Sequence, residues 1–132
     1  MPISERGDKT IGLAARLTGG ATPYKLVSAA TTNATSLKAT NGQLYGVQAF
    51  NTNGAARYLK IYDKASAPTV GSDTPVKTLL IPGSATGGGF ICQFPDGVTF
   101  SNGIAFAITT GVADADTGAV GAAEVVVNID YF

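Results

Sequence analysis

The residues able to do chemistry are few, and their spacing is informative. Asp114-Ala115-Asp116 is the only close carboxylate pair in the chain. In an extended segment its i, i+2 spacing would put both side chains on one side, the arrangement a cation or a carboxylate-only hydrolysis would need. The remaining oxygen ligands and the closing Glu of a calcium loop are missing, so a solvated turn is the plainer reading. Histidine is absent from all 132 residues. That removes the usual general base, the Ser-His-Asp and Cys-His arrangements and the commonest metal ligand. Cys92 is the sole cysteine and has no basic neighbour in sequence to activate it, so it reads as a structural thiol between Phe90 and Phe94. The glycine-rich run Gly83–Gly89 is followed by neither Lys-Ser nor Lys-Thr, and reads as a flexible connection rather than a phosphate cradle. No catalytic residue, cofactor or metal ligand is expected from this inventory.

One segment suggests recognition instead. In Arg57-Tyr58-Leu59-Lys60-Ile61-Tyr62-Asp63, alternation turns Leu59 and Ile61 to a core and leaves Tyr58, Lys60 and Tyr62 on the outer face. A Tyr pair flanking a Lys suits an interface, ordinary cross-strand pairing, or stacking on sugars or bases. With Arg57 at its start and the Asp114–Asp116 turn, this gives six candidate interface residues: Arg57, Tyr58, Lys60, Tyr62, Asp114 and Asp116.

These side chains need a scaffold, and the punctuation of the chain predicts one. From Pro23 onward, short alternating segments are divided by Gly, Asn, Asp and Pro, the pattern of an antiparallel all-β domain. Strands are expected over 24–30, 34–39, 43–51, 56–63, 76–82, 88–94, 97–100, 103–110 and 122–131. Val125, Val127 and Ile129 share one face of the last; Ile104, Phe106 and Ile108 share one face of another; Phe90 and Phe94 complete the expected core. Eight or nine strands in about 110 residues fit an antiparallel β-sandwich of jelly-roll kind, with an immunoglobulin-like sandwich as the alternative. Residues 1–22, mixed in charge and rich in glycine, read as an N-terminal arm that either frays or docks on a neighbouring subunit, with 23–132 as the sandwich domain.

Composition narrows the function classes. Charged residues are 14% of the chain, and nine Lys or Arg balance nine Asp or Glu, which argues against nucleic-acid or membrane-surface partners. The charges are unevenly placed: residues 1–77 hold all nine cations and four carboxylates, a net +5, while 78–132 hold five carboxylates and no cation, a net −5. Head-to-tail association would follow if the halves occupied different faces; interleaved strands would cancel the asymmetry. One cysteine cannot form an intramolecular disulfide, and neither a signal-peptide pattern nor a membrane-spanning apolar run occurs, so the protein is expected to be soluble where it is made.

The stretch Phe50-Asn51-Thr52-Asn53-Gly54-Ala55-Ala56-Arg57-Tyr58-Leu59-Lys60-Ile61-Tyr62-Asp63-Lys64-Ala65, then Ala67-Pro68-Thr69-Val70-Gly71 and Asp73-Thr74-Pro75-Val76, resembles small virion proteins of tailed bacteriophages. A second block, Gly103–Thr110 through Asp114–Asp116 to the Val125–Tyr131 segment, extends the resemblance over residues 31–131. It implies a non-enzymatic structural role, most concretely a capsid decoration (cement) protein on the outer shell. Its partners would then be the major capsid protein and copies of itself, typically as a homotrimer of β-sandwich subunits. The alternative it leaves open is a tail, baseplate or fibre component, touching glycans through Tyr58 and Tyr62.

Overall fold

The computed structural model describes residues 20–132. The expected arm falls mainly on residues 1–19, outside the described residues. Eight strands follow in order: β1 (Thr22–Val27), β2 (Thr35–Lys38), β3 (Gly42–Asn51), β4 (Arg57–Asp63), β5 (Lys77–Ile81), β6 (Gly88–Phe100), β7 (Ile104–Thr109) and β8 (Val125–Tyr131). They form two antiparallel four-stranded sheets, with orders β1-β8-β3-β6 and β2-β7-β4-β5, and the described chain is an all-β sandwich.

The connectivity pairs the chain from its ends inward. β1 lies on β8, β2 on β7, β3 on β6 and β4 on β5, and the β8–β3 and β7–β4 pairings join these ladders into the two sheets. The register is long-range from the start, with Thr22 opposite Tyr131 and Val27 opposite Val126. Strands from both halves of the sequence therefore alternate within each sheet, so the charge asymmetry does not separate onto two faces. Arg57 meets Glu124 across the two halves, while Lys64 pairs with Asp73 inside the first.

The core lies between the sheets and is built by alternation. β8 buries Val125, Val127 and Ile129, and β7 supplies Ile104, Phe106 and Ile108 from the facing sheet. Leu44 and Val47 of β3 and Leu59 and Ile61 of β4 complete the layer. Phe90 and Phe94 are corrected from full to partial burial: they pack against the core from β6, an edge strand with no described neighbour beyond it. Cys92, between them, is likewise half-buried.

A second correction concerns 88–94 and 97–100, which form one strand. Pro95 cannot donate to a ladder, but on an edge strand that costs little. The register jumps from Gln93–Gly46 to Val98–Leu44, so Phe94–Gly97 bulges opposite Tyr45. Gly97 adopts φ +78°, and a Cβ there would stand 3.0 Å from the Tyr45 ring. The Pro-Asp-Gly signal thus marks a bulge within a strand, not a turn between strands.

Candidate interaction surface

The two sheets present different outer faces. On the β2-β7-β4-β5 sheet the outward residues are themselves buried. All of β7 is buried, and Lys60 and Tyr62 of β4 are 0% and 1% exposed. Two connections, 64–76 and 110–121, lie across this face. Val70 packs on Tyr62, Ala105 and Ala107, and Gly71 approaches Thr117 so closely that a Cβ would stand 2.7 Å from its methyl. The expectation that Lys60 and Tyr62 line an open face is therefore corrected. Their parity is as expected, but loops cover them.

Lys60 and Asp116 on this side are both held by hydrogen bonds within the chain. The Lys60 ammonium donates to the Ala113 carbonyl at 2.5 Å and to the Asp116 carbonyl at 3.5 Å. Asp116 Oδ1 accepts the Gly111 and Gly118 N–H groups at 3.1 and 2.8 Å, so its carboxylate ties the loop to itself. Asp114 is exposed, and the turn does not present the two carboxylates as a pair. Tyr62 makes no hydrogen bond through its buried hydroxyl; burial first, then the charges of Asp73 and Asp114, push that hydroxyl above its ordinary pKa.

Arg57 is also committed. Its Nε donates to Glu124 Oε2 at 2.6 Å and its Nη2 to Oε1 at 3.3 Å, with both side chains 12% exposed. Asn53 Nδ2 and the Gly121 N–H complete the carboxylate's shell. The Arg57 hydrogen bond is the main reason Glu124 sits below the usual carboxylate range. Of the six candidate interface residues only Asp114 is exposed, Arg57, Tyr58 and Asp116 are half-buried, and with Tyr62 interior the Tyr58–Tyr62 platform does not form. No cluster of three potential metal-ligating side chains occurs among the described residues.

Among the described residues, nothing lies across the outer face of the other sheet. Cross-strand register aligns Val27, Val126 and Phe50 in one apolar row, with Gly89 completing it on β6. The next row runs Lys25, Asn128, Gln48 and Ile91. Val27 is 49% exposed, Phe50 45% and Ile91 70%. A shallow groove of about 510 Å³ lies between Phe50, Ile91, Gln48 and Asn128. Lys25 and Asp130 stand toward one margin, leaving the centre uncharged.

Sequence reasoning passed over this strip, although its signals were present. Phe50 shares strand parity with Gln48, opposite to the buried Val47 and Ala49, and Phe90-Ile91-Cys92 is apolar on both faces. Comparison of the chain with protein families, curated proteins and solved structures finds no match to any of them.

Proposed function

We propose that this chain is a non-enzymatic structural protein of a tailed-phage virion, most concretely a decoration protein that binds the outer capsid lattice as a homotrimer. We read its end-to-end paired strands as a jelly roll. The observation that carries the proposal is the contrast between the two sheets: one is covered by the protein's own loops, while the other leaves Val27, Val126, Phe50 and Ile91 as an uncharged strip. Lattice binding repeats one weak contact many times, and a modest apolar strip on a rigid body suits that use. The sequence resemblance to phage virion proteins names the lattice. A tail or fibre role would use the same body but has lost its tyrosine platform, since Tyr62 is interior.

Co-sedimentation of the purified chain with expanded capsids stripped of their decoration tests the reading. Saturable binding at a fixed ratio to the lattice is expected; no binding at micromolar concentration would overturn it.

A further inference from the structure

Three asparagines in this chain stand directly before a glycine: Asn41-Gly42, Asn53-Gly54 and Asn102-Gly103. Such a pair is primed for an internal reaction, because glycine lacks the Cβ that would shield its amide nitrogen from the preceding side-chain carbonyl. Ring closure also needs the backbone to swing, so the surroundings of each glycine decide which pair can react. Gly42 opens β3, where a Cβ would stand 2.6 Å from the Phe132 carbonyl oxygen. Gly103 is buried, its N–H donates to Asp63 Oδ1 at 3.3 Å, and a Cβ there would stand 2.6 Å from two carbonyl oxygens. Gly54 is the opposite case. It is exposed in the β3–β4 connection, and among the described residues nothing lies within 4 Å of where its Cβ would be and no backbone carbonyl accepts its N–H.

The side chain of Asn53 is already oriented. The Ala55 N–H donates to Asn53 Oδ1 at 2.8 Å, and Asn53 Nδ2 donates to Glu124 Oε1 at 2.8 Å. The first bond folds the carboxamide back around the Gly54 peptide, as asparagine does in tight turns. It also sets a donor on the oxygen that takes up charge when a nucleophile adds to Cγ.

We infer that Asn53-Gly54 is a self-modification site at which the chain slowly deamidates through a succinimide. Solvent base takes the Gly54 amide proton, the nitrogen forms a bond to Asn53 Cγ, and the Cγ–Nδ2 bond breaks as Nδ2 takes a proton from solvent and leaves as ammonia. Water then opens the ring at either carbonyl, leaving aspartate or isoaspartate. The sum is amide plus water to acid plus ammonia, with no oxidant or reductant.

The product alters a structural tie. Arg57 begins β4 in one sheet and Glu124 immediately precedes β8 in the other, so their ion pair clamps the two sheets, with Asn53 as its neutral third member. Deamidation removes the Nδ2 donor from Glu124 and sets a second carboxylate beside it, where like charges oppose one another. The reaction runs one way, so the clamp weakens with the age of the molecule.

Full-length chain held for days in mildly alkaline buffer, then digested and read by mass spectrometry, tests the site. In the native protein Asn53 should gain the amide-to-acid mass at least about tenfold faster than Asn41 or Asn102, whose glycines must first open locally. That advantage should vanish in strong denaturant. Gly54→Ala, which has room for its methyl, should slow Asn53 at least about tenfold and leave the other two unchanged. A native Asn53 rate no greater than those of Asn41 and Asn102, or one unmoved by Gly54→Ala, would overturn the site. Asn53→Asp reads the consequence: its melting temperature at pH 7 should fall by a few degrees, with the deficit from the native protein shrinking as pH drops through the carboxylate range. An unchanged melt at pH 7 would overturn the loosening of the clamp. Neither measurement involves a capsid, so both stand apart from lattice binding.

Discussion

A lysine on an outward strand position is ordinarily a solvating group, yet Lys60 is fully covered and spends its ammonium on two loop carbonyls. Lys60→Met keeps the apolar stem and leaves those carbonyls without a donor. A loss of roughly 1–3 kcal/mol in denaturant unfolding is expected, with faster hydrogen exchange across 110–118. Tyr62 on the same face is the opposite case. Its hydroxyl is buried without a partner, so Tyr62→Phe should be neutral or stabilising by about 1 kcal/mol in the same measurement. Glu124 makes a pH-dependent prediction. Its folded pKa lies below the unfolded value, so the ionised form favours folding. That contribution is fully present above the unfolded carboxylate value of about 4.3 and is lost as pH falls from there through the folded pKa. Glu124→Gln should cost roughly 2–3 kcal/mol at pH 7, with the difference from the native protein shrinking below pH ~4 in melts at stepped pH. The parity of Lys60 and Tyr62 was legible in the sequence, because alternation depends on the strand alone. Their burial was not, because it depends on where two distant connections come to rest.

At the scale of elements, the junction of β4 with the β6–β7 turn shows how a loop is made rigid. The Asp63 carboxylate accepts the N–H groups of Ser101, Asn102 and Gly103 at 3.3, 2.8 and 3.3 Å, and the Lys64 N–H donates to the Gly103 carbonyl. The backbone packs so tightly here that a Cβ on Gly103 would stand 2.6 Å from the carbonyl oxygens of Lys38 and Lys64. Gly103→Ala must push strand backbone apart, and a loss of roughly 1–3 kcal/mol in thermal or denaturant unfolding is expected. The spans of most strands could be read from alternation to within a few residues, β7 and β8 most plainly, since Ile104-Ala105-Phe106 and Val125–Ile129 keep strict period. β6 was read as two strands because Pro95-Asp96-Gly97 carries a turn's chemistry. Only the sheet order, which makes β6 an edge, lets that chemistry sit inside a strand.

At the scale of the whole molecule, the proposed lattice contact rests on the asymmetry between the two sheets among the described residues. Phe50→Lys together with Ile91→Lys puts two charges into the exposed strip while leaving the core residues unchanged. Capsid co-sedimentation should weaken at least about tenfold, with the melting temperature of the free protein shifted by no more than a few degrees. A double variant that binds undiminished would move the contact to another face. None of this surface could have been ranked from composition, since the low charge that makes the strip also describes the buried core.

The position of β8 has a consequence for how the polypeptide comes to be folded at all. It comes last of the eight described strands in chain order, yet it lies between β1 and β3 and hydrogen-bonds to both. Until it arrives, β1 lacks its one neighbour among the described strands and the sheet is split by a gap one strand wide. Closure of this sheet therefore waits until Val125–Tyr131 has been made, and the loop-closure entropy of bringing together Thr22 and Tyr131, about a hundred residues apart, is met in one step. Nascent chains halted before Val125 should remain open to protease where the finished protein resists it.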